Sequence, residues 1–467
     1  MLRPLHSIEQ LAAMHLDDLV VHYRAGVIDP VEVHDLTLAQ IEQVNPQLHA
    51  LYGFDSTVTR PLAEASARRW KNAKPLGMLD GVPVTIKDSI HAIGMQWHHG
   101  SAAHATGQRG QVDAPVVEKL KLQQAIIMSK TSMPDYGMSG SGVSSSHGII
   151  RNPWNLSYSP GGSSAGAGAS LAAGIGMISI GTDIAGSVRL PASHCALTAI
   201  KPTQGLIAHT PASDIRSAGI MARSAADLST PLKLLAGVHA LDRYSLPLSP
   251  MQPILGARVK CYSDFGFGPQ VEAEVVAVLE QASLLLAQQG FNVDAGQFRY
   301  DFDAYQSIDD VFKLRAWNEY IHADASYRDL TPAALRQWFQ PASSWSAAKV
   351  CQFQADVAKG VLQTQQLFED SDFIMTPVMT VVNFLAEELG PDPSMPLRHC
   401  SFTAPFNQSG HPAVVIHAGF SALGLPIGLQ LVGKRCSDLQ LIELAVILEQ
   451  ALKDQGLAVH WPLWPKR

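Results

Sequence analysis

Paired cysteines are missing from this sequence. Its five cysteines (Cys195, Cys261, Cys351, Cys400 and Cys436) are scattered, odd in number and nowhere spaced as CxxC. That excludes a disulfide framework and a cysteine-held zinc as expectations, and fits reduced thiols in a cytoplasm. A membrane-spanning run is missing too. The longest stretch of small apolar residues, 169–180, is interrupted by Gly174 and Gly176 and falls short of the roughly 20 residues that cross a bilayer. A secretory leader is not expected, because His6, Glu9, Asp17 and Asp18 stand where an uninterrupted apolar segment would be needed. Positive charge is not in surplus either. Lys and Arg number 34 against 41 Asp and Glu, a net −7, which argues against a general nucleic-acid surface, since phosphate binding is driven by clustered cations. The 18 histidines are dispersed and none forms HxxxH with a glutamate, so no metal site is expected.

What is present is the composition of an ordinary soluble globular chain. With 46% hydrophobic and 16% charged residues over 467 positions, the chain can build a large core, and length alone would allow two or three domains. Leu11, Met14, Leu19 and Val20 predict an N-terminal helix that stops at Gly26. Asp29-Pro30-Val31-Glu32 reads as a capping box, with Ile28 and Val33 as its staple, opening a second helix to about Pro46. A third covers about 63–70. In 81–88, Val82, Val84 and Ile86 alternate with Pro83, Thr85 and Lys87, a short strand that ends at the lysine. Strand-like segments at 125–128, 177–180 and 197–200 alternate with helical ones such as 116–122, the pattern of an α/β layer with a mostly parallel sheet. From about 214 to 370 the pattern is mainly helical, with 271–289 its longest run and Gly290 its cap. Strands return at 373–375, 413–416 and 427–432. No linker or repeat divides the chain, so one domain is expected: N-terminal helices over 1–75, a core over 76–212, a helical part over 213–370, and a C-terminal part over 371–467 that completes the sheet.

The densest signal lies between Ser159 and Ala192. SPGGSSAGAGAS (159–170) is followed by GTDIAGSVRLPA (181–192), and glycine at that density costs stability unless backbone geometry or close approach to a ligand requires it. Ser163 follows Gly161-Gly162 and Ser187 follows Ala185-Gly186. A serine set in such a turn, with backbone N–H groups converging on one spot, is how a hydroxyl nucleophile and an oxyanion hole are built.

These segments, together with GVPVTIKD (81–88), DAPVVEKL (113–120), KTSMPDYG (130–137), RNPWN (151–155), IKPTQG (200–205), TPVMT (376–380), TAPFNQSGHPA (403–413) and LPIGLQLVG (425–433), resemble the successive blocks of the amidase signature family, in the family's order. The resemblance implies an α/β/α sandwich around a mixed sheet and amide hydrolysis without a cofactor. It implies a triad in which Ser187 is the nucleophile, Ser163 the bridging serine after a cis peptide, and Lys87 the base. Ile184, Ala185 and Gly186, with Ser139 and Gly140, become the candidates for oxyanion and substrate contacts, and Asp183 and Arg189 an ion pair that supports the loop. Ala165, Ala185 and Ala196 depart from the pattern by standing where glycine is usual, which narrows the space around the loop without removing an N–H. Cys195 matches a common family position and is assigned to packing.

The chemistry fits those residue types. A serine hydroxyl attacks only once its proton is taken, and a lysine takes it only if burial lowers its pKa far below the usual value near 10.4. The expected substrate is a small carboxamide or an aryl or alkyl amide; a homodimer is an open option, and neither nucleic acid nor membrane is an expected partner. The alternative is the amidase component of a tRNA-dependent amidotransferase. Against it, TPASDIRSAGI (210–220) stands where such members carry a serine-serine-leucine-aspartate-glutamine segment. A catalytically dead binding protein is disfavoured because no triad member is missing. The aromatic residues of the helical part, Phe302, Tyr305, Phe312, Trp317, Tyr320, Trp338 and Trp345, are expected either to wall a pocket or to fill core.

Overall fold

The computed structural model describes residues 5–104 and 108–461. Its frame is a mixed sheet of 11 strands. In chain order these are β1 (Leu51–Tyr52), β2 (Pro83–Lys87), β3 (Ile126–Thr131), β4 (Ile178–Asp183), β5 (Thr198–Lys201), β6 (Ser217–Ala222), β7 (Arg258–Cys261), β8 (Asn292–Ala295), β9 (Phe373–Pro377), β10 (Ala413–Phe420) and β11 (Pro426–Gly433). Across the sheet they run β1-β3-β2-β4-β6-β5-β10-β11-β9-β7-β8. Helices pack around the sheet, and among the described residues none is long and apolar enough to cross a membrane.

The sheet is mixed, as expected, but parallel pairing does not predominate. Two blocks are parallel, β3-β2-β4 and β9-β7-β8, each built where a helix returns the chain in the same direction, such as Pro115–Leu122 between β2 and β3 or Ala273–Gln288 between β7 and β8. The centre is antiparallel. β6 runs against both β4 and β5, and the hairpin β10-β11 is inserted between β5 and β9. The region 214–370 therefore gives three strands to the sheet as well as its helices. They escape a periodicity reading because β6, SAGIMA, is small and glycine-containing, while β7 and β8 are four residues each with polar positions.

Local chemistry sets the N-terminal layer. Two helices, Ile8–Ala12 and Leu16–Arg24, stand where one was expected, and Gly26 ends the second at φ +65°. Asp29 caps Pro30–Leu48 by accepting from the N–H of Val31 at 2.7 Å. That helix runs through Pro46 and stops only at His49, which takes a left-handed φ of 52°. The strand that ends in Lys87 is buried on both faces. Val84 and Ile86 join Ile178 and Ile180 in the main core, while on the other face Thr85 donates to Ser179 at 2.7 Å, so the polar side of β2 is buried yet satisfied there. That places a lysine at the strand's end inside the protein.

The aromatic residues of the helical part are mostly core. Tyr305, Phe312 and Trp338 are buried in one apolar cluster with Trp317 and Tyr320 packed against it. The Tyr305 hydroxyl and the Trp338 ring N–H both donate to Asp309.

Candidate active site

Lys87 is 1% exposed. Its ammonium Nζ donates to Ser163 Oγ at 2.8 Å and to the carbonyl of Thr182, on the neighbouring strand β4, at 3.3 Å. Burial lowers its pKa to about 7, helped by the positive charge of Arg216 and opposed by Asp183 and Asp88. The amine thus stands in comparable neutral and charged fractions near neutrality, the condition for a base that must also return its proton.

Ser163 follows a cis peptide with Gly162. Its surroundings are made of backbone. A Cβ on Gly162 would lie 2.7 Å from the Ser141 nitrogen and closer still to its carbonyl oxygen; one on Gly161 would lie 2.9 Å from the Leu190 backbone; one on Gly137 would lie 3.2 Å from Ser163 Oγ. These glycines let three backbone segments close around one hydroxyl. Gly162→Ala is expected to force the 139–141 turn or Ser163 out of place, costing about 1–3 kcal/mol of stability as overpacking does. A rate loss larger than the stability loss, read by urea denaturation alongside turnover, marks the displacement of Ser163. Ser139 and Gly140 belong to the turn that seats Gly162. Ser139 Oγ shares a 3.1 Å hydrogen bond with Ser141 Oγ, and Gly140 leaves room for the ring of His399.

The loop with Ser187 is joined to the Ser163 segment by a hydrogen bond from the Ser164 N–H to the Ser187 carbonyl at 3.0 Å. Asp183, the last residue of β4, shapes the loop by accepting the N–H of Gly186 at 2.7 Å and of Val188 at 3.1 Å. Gly186, expected among the oxyanion donors, is therefore already engaged. Its φ of +124° and the 2.6 Å separation its Cβ would have from Thr403 Oγ1 explain the glycine. Among the described residues the N–H groups of Ile184, Ala185 and Ser187 carry no protein acceptor.

Asp183 and Arg189 pair in the fully buried core, Nε and one terminal nitrogen reaching the two carboxylate oxygens at 3.0 and 2.9 Å. Burial alone would raise the Asp183 pKa, but Arg189 holds the carboxyl well below the usual range. The other Arg189 donors go to the Thr403 carbonyl at 3.0 Å, Gln430 at 2.6 Å and Asn407, while Asn407 also donates to Asp183 at 2.9 Å. Thr403 returns from the other side by donating to the Ala185 carbonyl. Nothing in the sequence assigns a role to Thr403, Asn407 or Gln430. TAPFNQSGHPA and LPIGLQLVG contain them, but only the fold brings β11 and residues 403–408 to the loop.

Lys87 also shares its surroundings with His99 and Arg216. His99 is buried, stacked on Trp97 at 5.3 Å between ring centres, with its pKa lowered to about 3 by burial and by Arg216. Among the described residues no group of three His, Cys, Asp or Glu side chains is placed to hold a metal ion.

The family profile described as Amidase matches residues 32–442. The chain is similar to the A subunit of glutamyl-tRNA(Gln) amidotransferase from Symbiobacterium thermophilum, 28% identical over 95% of this chain and 97% of that one. It is 30% identical to the protein of the same name from Neisseria meningitidis, over 89% of this chain and 93% of that one. In fold it resembles a bacterial aryl acylamidase of the amidase signature enzymes, with a TM-score of 0.87 at 24% identity over 94% and 96% of the two chains. A 6-aminohexanoate cyclic dimer hydrolase follows the same fold, with a TM-score of 0.84 at 24% identity over 96% and 98%.

Proposed function

This chain belongs to the amidase signature family, and from that premise we propose that it hydrolyses the C–N bond of a small carboxamide or an aryl or alkyl amide through an acyl-enzyme on Ser187. The observation that carries the reading is the 2.8 Å hydrogen bond from a buried amine to a buried hydroxyl, Lys87 to Ser163, beside the loop that holds Ser187. In the neutral form the Lys87 amine takes the Ser163 proton while Ser163 takes that of Ser187. The Ser187 oxygen then attacks the carbonyl carbon. The oxyanion falls to the backbone N–H groups of the 184–187 loop, apart from Gly186. When the C–N bond breaks, the same relay returns the proton to the leaving nitrogen, and water repeats the sequence to release the acid.

The test is the pH dependence of covalent capture. An alkyl fluorophosphonate is expected to label Ser187, with the rate rising through about pH 7 as Lys87 loses its proton. The sign follows from the direction of the shift: a lysine lowered by burial is charged, and useless as a base, below that pH. Labelling at another residue, or a rate independent of pH from 5 to 9, would remove Lys87 and Ser187 from these roles.

A second reading, the amidase component of a tRNA-dependent amidotransferase working with protein partners, draws on the names of relatives 28% and 30% identical over most of the chain. Residues 210–220 stand against it, because they lack the serine-serine-leucine-aspartate-glutamine segment of such members. Amide turnover by the isolated chain favours the first reading; turnover only in the presence of protein partners and aminoacyl-tRNA favours the second.

A further inference from the structure

A guanidinium carries five N–H donors and no acceptor, so when buried it is normally paired with a carboxylate or a set of carbonyls. Arg189 obeys that rule with four partner residues. Arg216 does not. It precedes Ser217, which pairs with Asp183 across β6 and β4, so its backbone lies beside the start of the Ser187 loop. The backbone is firmly held, with its N–H donating to Ser213 Oγ at 3.0 Å and its carbonyl accepting from Gln204 at 3.0 Å. Among the described residues its side chain makes neither a hydrogen bond nor an ion pair.

A second cation faces the same place. Arg315 sits on the helix Ala304–His322, and its Nε is buried without a hydrogen-bond partner. Arg216 and Arg315 repel each other, and that repulsion adds to the larger effect of burial in lowering the Arg216 pKa to about 10. Glu319, one helical turn beyond Arg315, lies 3.8 Å from His99 Nδ1, and its charge partly offsets the effect of burial on both arginines, as that of the exposed Asp214 does on Arg315. Neither ion-pairs with either arginine. Asp88 is occupied by Tyr52 at 2.5 Å and by the N–H groups of His98 and Gly100. Arg216 therefore stands half-buried, its positive charge felt by the Lys87 amine, with no ion pair or side-chain hydrogen bond among the described residues and only the offset charge of Glu319 to oppose it; a partly desolvated guanidinium in that condition favours an added anion.

Resting on the amide-hydrolysis reading, we propose that Arg216, with Arg315 beside it, binds a carboxylate carried by the substrate, so that the enzyme prefers amides that bear an ionised carboxyl group a short distance from the scissile bond. The planar fork of an arginine matches the two oxygens of a carboxylate. The same contact ties binding to chemistry. With a carboxylate on Arg216, its positive charge no longer bears on Lys87, and the amine becomes a stronger base once substrate is in place.

The full chain is assayed against monoamides of linear dicarboxylic acids from malonamate to adipamate, against N-acetyl amino acids, and against the methyl ester of each. The first set puts the carboxylate on the acyl side and the second on the leaving amine, so the better set identifies the side. In the wild type, at least one carboxylate is expected to exceed its ester by tenfold or more in kcat/KM. In Arg216→Gln that ratio is expected to fall toward one, and in Arg216→Lys to lie between. On an uncharged ester, the acid limb of the kcat/KM profile of Arg216→Gln is expected to move to higher pH, which a merely structural role would not produce.

A binding measurement stands apart from turnover: succinate and glutarate are expected to slow fluorophosphonate labelling of the wild type but not of Arg216→Gln, while succinamide slows neither. Esters cleaved as well as acids throughout, or a charge preference that survives Arg216→Gln, overturns the carboxylate site and leaves amide hydrolysis standing. Absence of turnover on every amide removes the hydrolysis reading instead. In that case protection by succinate or glutarate that depends on Arg216 still supports the site, and no protection overturns it.

Discussion

Ser187→Ala is expected to lower kcat on any amide the enzyme accepts by on the order of 10⁶-fold, the loss typical when the nucleophile of a serine hydrolase is removed. The informative part is what the second substitution adds. Lys87 reaches the Ser163 hydroxyl directly, at 2.8 Å; its other bond goes to the Thr182 carbonyl at 3.3 Å, and Ser163 is tied to the Ser187 loop through the neighbouring Ser164 N–H. If the three groups act as one proton relay, removing any one removes the whole, and the losses do not add. Lys87→Ala alone should cost several orders of magnitude, and Ser187→Ala with Lys87→Ala no more than Ser187→Ala alone. What rate survives comes from binding and from the loop N–H groups, which neither substitution touches. Two losses that multiply in the double variant would mean that Lys87 and Ser187 serve separate steps. A Ser187→Ala enzyme within a hundredfold of wild type would mean that another nucleophile attacks. Single-turnover kinetics at one pH on the four proteins decides between these outcomes.

The site is legible in the sequence where local chemistry demands particular residues. Glycines at 161, 162 and 186 stand where a Cβ would collide with backbone or with Thr403, each within a few residues of the serine it serves, and Lys87 ends a strand buried on both faces, a pattern readable in that strand alone although it lies 76 positions from Ser163. The groups that come from far along the chain are not legible. Gln430 meets Arg189 across 241 positions and Thr403 meets Ala185 across 218, and no spacing announces such contacts. Arg216 is hidden for a different reason: in sequence it is one charged residue in a polar segment, and only the structure shows that, among the described residues, its side chain forms no ion pair. The sheet follows the same division. Strands with strong apolar patterns, β2, β4, β9 and β11, can be read near their true bounds, whereas β6, β7 and β8 are short, small or polar and take their strand form from neighbours. Since β6 is the strand that turns the central sheet antiparallel, a pattern that hides it also suggests a mostly parallel sheet.

Asp183→Ala is the second large effect, and it falls on stability before chemistry. The carboxylate neutralises Arg189 in the fully buried core and accepts the N–H groups of Gly186 and Val188. Its removal strands a buried guanidinium and two backbone donors together. Breaking a buried ion pair from one side typically costs about 3–5 kcal/mol, and each unsatisfied donor adds to that. The midpoint of urea unfolding is expected to fall accordingly. Arg189→Met added to Asp183→Ala takes away the stranded charge and fills its volume, so the double variant should recover part of the stability, although Thr403, Gln430 and Asn407 each lose a partner. Activity should not recover with it. The pair is one requirement for folding and the two loop hydrogen bonds are another, and only the second sets where the Ser187 hydroxyl and the free N–H groups stand. A double variant that regained turnover along with stability would show that the loop holds its shape without Asp183. One less stable than Asp183→Ala alone would show that Arg189 is held chiefly by its neutral partners.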